Sequence, residues 1–215
     1  MGRIICLVIG YACGLLQSGY LVGKMHHIDI RKAGSGNSGS TNALRVMGLK
    51  AGLMTFAGDV LKCFAALLIV RAIYHGSNIL PLLMMYAGAG VTLGHNFPFY
   101  MNFKGGKGIA ASSGVIFSLV FFDWKFLALG LITFFVALAL TKYVSFSSLC
   151  LMTGFFLEMV IFGQLNMVHN LNQSEKLESY ILVGIMMVLS YIRHKDNIKR
   201  LVNGTERKIG QKKEA

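Results

Sequence analysis

The segment MNFKGGKG places two lysines and three glycines between apolar stretches of the chain. Lys104 and Lys107 supply positive charge, while Gly105, Gly106 and Gly108 allow the backbone to approach a ligand closely. Successive main-chain N–H groups at the start of an apolar helix form a concave site for an anion. The Walker spacing is absent, because Lys107 is followed by Gly108 rather than by Ser or Thr. The segment therefore predicts an anion-binding loop without nucleotide hydrolysis, and two lysines that only fix membrane orientation are the simpler alternative.

A second segment, DIRKAGSGNSGSTNALR, combines glycines with short polar side chains. The glycines permit backbone conformations that are closed to other residues. Thr41 or Asn42 is expected to cap a helix that runs into the next apolar stretch, where an anion would meet unpaired N–H groups and the positive end of the helix dipole. A flexible, solvated loop would have a similar composition. The candidate ligand-contacting residues of the segment are Gly34, Ser35, Gly36, Asn37, Thr41 and Asn42.

A third segment, RHKDNIKRLVNGTE, begins where the last apolar stretch ends. His194 and Asn197 are three residues apart, so they share a face if the helix continues through them. Histidine is the commonest general acid or base near neutral pH. A basic amphipathic tail that lies on anionic headgroups is the alternative for this segment. His95, in the sequence GHNFP, is either a further site residue or a histidine at the membrane interface.

The elements that must position these segments are membrane helices. Hydrophobic residues make up 54% of the 215 residues and charged residues only 14%, against ~25% charged residues in soluble domains. No linker divides the chain, so residues 1–215 are expected to form a single polytopic domain. The net charge of +12 reports membrane orientation before it reports a ligand. We therefore expect an all-α integral membrane protein with no nucleic-acid partner.

Hydropathy predicts five long spans and two short ones. A helix needs ~20 apolar residues to cross a bilayer core of about 30 Å. The long candidates are residues 4–23, 52–74, 79–101 and 143–163, with a less extended one at 179–192. Two short apolar runs between residues 108 and 140, each about 22 Å long, are either thin crossings or a hairpin that re-enters the membrane. Seven and five crossings are both odd numbers, so the termini are expected on opposite sides.

The distribution of Lys and Arg predicts the orientation of this bundle. With the N-terminus outside, the cytoplasmic side holds sixteen basic residues and the other side holds three, namely Arg3, Lys125 and Lys176. The positive-inside rule therefore predicts a cytoplasmic C-terminus. All three polar segments then lie on the cytoplasmic face.

Charged groups inside the predicted spans are costly and usually have a partner or a function. Asp59 and Lys62 are three residues apart and are predicted to pair and to face the polar loops, whereas Glu158 has no assignment. The four cysteines show neither CxxC nor paired Cys/His spacing, so the sequence predicts no disulfide and no metal site.

Together, three motifs resemble those of the bacterial acyl-phosphate-dependent glycerol-3-phosphate acyltransferases. They are GYLVGKMHHIDIRKAGSGNSGSTNALR, GHNFPFYMNFKGGKGIAAS and RHKDNIKRLVNGTERKIG, in that order. The family usually has Ala where this chain has Ser40 and commonly Pro where it has Gln17, and we expect both differences to affect only local packing. The resemblance implies acyl transfer from acyl phosphate to the 1-hydroxyl of sn-glycerol 3-phosphate, giving lysophosphatidate and phosphate as the first step of bacterial phospholipid synthesis. It also implies the bacterial inner membrane as the location, and no cofactor.

The same resemblance assigns roles to individual residues. Ser35 and Arg45 resemble the essential residues of the first motif, and the glycine loop resembles the glycerol-3-phosphate site. His194 and Asn197 match residues important for activity, while Glu206 matches a glutamate needed for structural integrity. Both substrates carry phosphate, so the catalytic set is predicted as Ser35, Arg45, Lys104, His194 and Asn197. The base is either His194 or a substrate phosphate oxygen.

Two other classes of membrane protein would also use basic, glycine-rich segments. A transporter for a phosphorylated small solute would be expected to show internal repeats and helices broken at the midplane, whereas the polar motifs of this chain concentrate at one face. A purely structural membrane subunit would not need three such motifs. The sequence carries no signal of an oligomeric state.

Overall fold

The computed structural model describes residues 1–120, 123–168 and 171–211, and within these ranges the chain contains helices and no strands. The basic tail residues Lys212 and Lys213 lie outside the described residues. The α-helices are α1 (Gly2–Gly14), α2 (Ser18–Met25), α3 (Ser40–Met47), α4 (Leu49–Tyr74), α5 (Leu80–Asn96), α6 (Ile109–Val120), α7 (Lys125–Thr141), α8 (Val144–Gln164), α9 (Gln173–Arg193) and α10 (Lys195–Val202).

Helix α5 is the centre of the bundle. It packs against α1, α4, α6 and α9, and most of its side chains are buried. Small residues bring α1 and α5 into backbone contact: a methyl group added to Gly10 would lie 1.9 Å from the Ala87 carbonyl oxygen, and one added to Gly94 would lie 2.2 Å from that of Tyr11. Membrane helices associate closely through such small residues because lipid offers no hydrophobic driving force between them.

Polar residues explain why the observed helices begin and end at other residues than the predicted spans. The first predicted span is interrupted between α1 and α2, where Gln17 precedes the second helix. The third ends at Asn96 rather than at residue 101, and a 3₁₀ turn, Phe99–Met101, follows it. The last begins earlier than predicted, because a capping box of Asn172 and Glu175 starts α9 at Gln173.

By length and composition, three helical stretches of the described residues could cross a membrane. They are Gly2–Met25, Leu49–Tyr74 and Val144–Gln164, and Lys125–Thr141 is a shorter apolar helix. This finding supports a multi-pass membrane protein. Helix α6 is about 18 Å long at 1.5 Å per residue, and α7 begins after Asp123, whose carboxylate accepts a hydrogen bond of 2.9 Å from the Lys125 backbone N–H.

Candidate active site

The three polar segments meet at one cavity of about 830 Å³. Ends of α4, α5, α6, α7, α8 and α9 contribute to it, together with α3 and α10. Of the sequence-predicted site residues, all but Gly106 line the cavity. The predicted residues that line it are Gly34, Ser35, Gly36, Asn37, Thr41, Asn42, Arg45, His95, Lys104, Gly105, Lys107, Gly108, His194, Asn197 and Glu206.

Asn42 organises the first segment rather than presenting a free side chain. Its Oδ1 accepts a hydrogen bond from the Ser35 backbone N–H at 2.9 Å, and its Nδ2 donates to the carbonyls of Ala33 at 3.0 Å and Asn37 at 2.9 Å. Gly34 and Gly36 have φ of 62° and 71°, which glycine adopts without strain. The side chain is only 2% exposed, so Asn42 shapes the loop, and its contact with a ligand stays a prediction.

The predicted helix cap of this segment is wrong. Thr41 and Asn42 lie inside α3, whose N-cap residue is Gly39. The side chain of Asn37 instead accepts a hydrogen bond from the Gly39 N–H at 2.9 Å. Helix α3 then ends at Met47, and its C-cap residue Gly48, with a φ of 87°, turns the chain directly into α4.

The glycine loop does not offer all of its N–H groups to a ligand, contrary to the sequence expectation. The Gly105 N–H donates to the Asn96 carbonyl and the Gly106 N–H to the His95 carbonyl, both at 3.1 Å. Their own carbonyls accept from the Arg193 guanidinium at 3.0 and 2.8 Å. Glycine is required here mainly for packing, since a methyl group on Gly106 would lie 2.0 Å from His95 Nε2.

A buried polar cluster of Asp59, Lys62 and His95 lies behind this loop. Lys62 Nζ donates to Asp59 Oδ1 at 2.8 Å and lies 2.7 Å from His95 Nδ1. Lys62 can only donate, so the proton of a neutral His95 ring is on Nε2. The predicted Asp59–Lys62 pair is therefore present, and Asp59 lines the cavity.

The third segment bends at His194, so the helix does not continue through it as a shared face for His194 and Asn197 would require. Helix α9 ends at Arg193, and His194 adopts a non-helical conformation before α10. The bend still leaves His194 and Asn197 buried and lining one cavity.

Glu206 ties this third segment to the rest of the site. Its Oε1 accepts from Asn197 Nδ2 at 2.6 Å and from Ser145 at 2.8 Å, and its Oε2 accepts from Arg200 at 2.7 Å. Burial alone would raise the pKa of Glu206, but these hydrogen bonds hold that pKa below its usual value. Asn197 in turn accepts a hydrogen bond from Lys107. These contacts fit the structural role that the sequence assigned to Glu206.

Lys104 and Arg45 are among the cations of the cavity that have no partner in the described residues. Lys104 and Arg45 are solvent-exposed and make no side-chain hydrogen bond or ion pair within the parts of the chain that the structure describes. Partial desolvation and then the nearby Arg207 lower the pKa of Arg45, and burial lowers that of Lys107 to about 8. Cations in such surroundings gain stabilisation when an anion enters.

His194 has the protonation state that a proton acceptor needs. Its Nδ1 lies 2.8 Å from the Ser190 carbonyl, which can only accept, so Nδ1 carries the proton of the neutral ring. Burial, followed by the positive charge of Lys107, lowers the pKa of His194 to about 4. The ring is therefore neutral at pH 7, and Nε2 keeps its lone pair.

The cavity also has an apolar side. Leu53 and Phe56 of α4 and Phe134 and Leu138 of α7 line it, and Leu53 and Phe56 are 58% and 50% exposed. Such side chains on membrane helices face lipid. The site can therefore accept an anionic group from water and a fatty chain from the bilayer.

Residues 4–204 match the family model described as glycerol-3-phosphate acyltransferase. The chain belongs to this acyltransferase family. A curated glycerol-3-phosphate acyltransferase of Clostridioides difficile (strain 630) is 40% identical over 98% of this chain and 97% of its own length. That of Bacillus subtilis (strain 168) is 38% identical over 94% and 95%.

Two crystal structures of an integral membrane glycerol 3-phosphate acyltransferase, PlsY (YgiH), share the fold of this acyltransferase. The glycerol 3-phosphate form has a TM-score of 0.81 at 28% identity, and the lysophosphatidic acid form has 0.78 at 27%. Each comparison covers 98% of this chain and 96% of the other. The family resemblance seen in the three sequence motifs is thus confirmed.

Two residues that shape the acyltransferase cavity had no role assigned to them from the sequence. Arg193 holds the glycine loop through two carbonyls, and Ser145 holds Glu206. Arg193 is the first residue of the third motif, so its position was a usable signal. Ser145 gave no such signal, because the hydroxyl of a serine in an apolar helix usually forms a hydrogen bond with a backbone carbonyl of the same helix. Glu158 stays unassigned, with Oε2 buried and lacking a hydrogen-bond partner in the described residues.

Proposed function

We propose that this chain transfers a fatty acyl group from an acyl phosphate to the 1-hydroxyl of sn-glycerol 3-phosphate, giving 1-acyl-sn-glycerol 3-phosphate and phosphate. The observation that carries the proposal is a single cavity in which the unpaired cations Arg45 and Lys104 lie near apolar, lipid-facing side chains. The similar crystal structures are described as glycerol 3-phosphate and lysophosphatidic acid forms. These two molecules are the acceptor and the product of the proposed reaction.

Positive groups of the cavity hold the two phosphates. Arg45 and Lys104 bind phosphate oxygens directly, because a charged hydrogen bond between a cation and an anion is about twice as strong as a neutral one. Lys107 is held by Asn197, so it serves the same anions from a fixed position. Ser35, exposed on the first segment, and Asn197 orient the phosphates. Fixed donors of this kind stabilise the charge that develops during acyl transfer.

The reaction requires one bond to form and one to break. The 1-hydroxyl oxygen attacks the acyl carbonyl carbon, and the bond from that carbon to the phosphate oxygen breaks, so that phosphate leaves with the electron pair. The hydroxyl proton passes either to the neutral His194 ring or to a phosphate oxygen of the substrate. Because an acyl phosphate is a mixed anhydride, positioning of the reactants supplies much of the catalysis.

Product formation by the purified protein tests this function. In detergent micelles with palmitoyl phosphate and glycerol 3-phosphate, we expect lysophosphatidate and inorganic phosphate in equal amounts. A transporter for a phosphorylated solute would yield neither, because transport leaves the solute chemically unchanged. Failure to form lysophosphatidate with protein that is monodisperse and correctly folded would contradict the proposal.

The proposed topology has seven crossings, five long and two short, with the N-terminus outside and the C-terminus in the cytoplasm of a bacterial cell. Its support is the alternation of helix ends around the cavity: α4, α6 and α8 begin there, while α5 and α9 end there. The strong excess of Lys and Arg on that same face favours a cytoplasmic active site. Substrates made in the cytoplasm would then reach the cavity without crossing the membrane.

Labelling of single cysteines tests this topology. The four native cysteines are replaced by alanine. A single cysteine is then introduced at Lys32, Asn203, Asn78 or Ser174, which are all exposed in the structure. In right-side-out vesicles an impermeant maleimide should label Asn78→Cys and Ser174→Cys at once. It should label Lys32→Cys and Asn203→Cys only after permeabilisation. The opposite pattern would overturn the orientation, and a split between Lys32 and Asn203 would overturn the shared face.

A further inference from the structure

The interruption between α1 and α2 is built from polar contacts that reach three other parts of the chain. The Leu16 carbonyl accepts a hydrogen bond from Lys62 Nζ at 2.8 Å, and the Leu15 carbonyl accepts one from the Tyr100 hydroxyl at 2.6 Å. These side chains satisfy carbonyls that a continuous helix would have used internally. The interruption is therefore a hydrogen-bonded junction rather than a frayed helix end.

Gln17 is the central side chain of this junction, and it is 2% exposed. Its Nε2 donates to the His95 carbonyl at 3.1 Å, with the Gly94 and Gly14 carbonyls farther away at 3.4 Å. Its Oε1 accepts a hydrogen bond from the Ser38 hydroxyl at 3.2 Å. Both ends of one amide group are thus engaged with different segments.

One partner of Gln17 lies in the first segment, and the other lies at the end of α5, where it holds the glycine loop. Ser38 is part of the first segment, between Asn37 and Gly39. The His95 carbonyl accepts from Gln17 and also from the Gly106 N–H at 3.1 Å, as its two lone pairs allow. A continuous run of hydrogen bonds therefore joins the first segment to the glycine loop through Gln17.

We propose that Gln17 is a positioning residue that fixes the distance between the first segment and the glycine loop. The inference rests on the proposed function, because it assumes that both loops bind the same pair of phosphates. Gln17 does not line the cavity, so it acts through the loops and does not contact the substrates. Binding groups must be held to within a fraction of an ångström to be effective, and a buried side-chain bridge supplies that constraint.

The test separates positioning from simple support of the fold. In Gln17→Leu, which keeps much of the volume but removes both bridging groups, we expect the apparent KM for glycerol 3-phosphate to rise roughly tenfold, the scale of one or two lost hydrogen bonds. We expect kcat to change much less. The conservative variant Gln17→Glu keeps the acceptor for Ser38 and should fall between the wild type and Gln17→Leu. Gln173→Leu, at an exposed glutamine at the start of α9, is the matched control and should leave KM unchanged.

A second variant shows whether the effect passes through the bridge. Ser38→Ala removes only the link to the first segment and should raise KM in the same direction. Combined with Gln17→Leu, it should raise KM no further than Gln17→Leu alone, because both substitutions break the same connection. Additive effects in the double variant would contradict the bridge.

Other outcomes are equally decisive. An unchanged KM in Gln17→Leu, with kcat reduced in proportion to the folded fraction, would overturn the inference and leave Gln17 with a supporting role only. If Gln17→Leu does not fold, Ser38→Ala alone decides: a raised KM supports the bridge and a wild-type KM overturns it. A wild-type protein that forms no lysophosphatidate would instead contradict the proposed function, so the two failures are distinguishable.

Discussion

Substitution of Arg45 by alanine is expected to reduce kcat for lysophosphatidate formation by roughly 10² to 10³. Arg45 lines the cavity, and no carboxylate of the described residues pairs with its guanidinium. The nearby charges of Arg207 and Arg200 repel the Arg45 guanidinium. Glu206 attracts it, but this carboxylate is already bound by Arg200. We therefore propose the phosphate of the substrate as the partner of this charge. Initial rates at saturating substrate would measure the loss.

Two further variants test whether the loss of activity depends on the position and the type of the Arg45 side chain. Lys50→Ala removes a positive charge on the same face of the molecule, from an exposed side chain that does not line the cavity, and should leave kcat within a factor of about two of the wild type, as surface substitutions usually do. Arg45→Lys should recover only part of the activity, because lysine cannot form the paired hydrogen bonds of a guanidinium. Wild-type kinetics in Arg45→Ala would remove Arg45 from the active site.

The general fold follows from hydropathy, but the ends of the helices do not. Long apolar runs predict both ends of α4 and α8 to within three residues. The interruption at Gln17 was missed, because one polar residue barely lowers the mean hydropathy of a 20-residue stretch. The early start of α9 was missed for the opposite reason, since Glu175 and Lys176 lower hydropathy where a capping box in fact starts the helix. Both ends depend on hydrogen bonds rather than on average polarity.

The close packing of α1 on α5 shows a different limit. Gly10 and Gly14 on one helix and Gly90 and Gly94 on the other are each four residues apart, so each pair forms a small strip on its helix. This spacing could have predicted a tight crossing. It could not have predicted which two helices meet, because several other helices of the chain also carry glycines.

The site illustrates which properties spacing can and cannot reveal. The distribution of Lys and Arg correctly predicted that the three motifs meet, because helices of alternating direction place every second loop on the same face. The direction of individual hydrogen bonds was not predictable. Asn42 points into its own loop, and the N–H groups of Gly105 and Gly106 are used by the end of α5. Residue types indicated an anion site, whereas the structure indicates which of those residues are still available to an anion.

The chemistry of the acyl donor should discriminate most strongly between this protein and other glycerolipid acyltransferases. An acyl phosphate carries a small, doubly charged leaving group that Arg45, Lys104 and Lys107 can neutralise as it departs. Coenzyme A would need a surface for its adenine and pantetheine parts. The cavity instead combines short glycine-rich loops with apolar helix faces, and the sequence lacks a His-x-x-x-x-Asp box, because no histidine has an aspartate five residues later.

We therefore expect purified protein to form lysophosphatidate from palmitoyl phosphate and glycerol 3-phosphate and to form none from palmitoyl coenzyme A. Both donors share one acyl chain, so the comparison isolates the leaving group from the lipid-facing part of the cavity. EDTA should leave the rate unchanged, because no group of three potential metal ligands occurs among the described residues. Product from the thioester with acyl phosphate inert would contradict the donor assignment, even if the Arg45 result agreed with it. The two experiments are independent, because a loss of activity in Arg45→Ala would also follow from weaker binding of the acceptor phosphate.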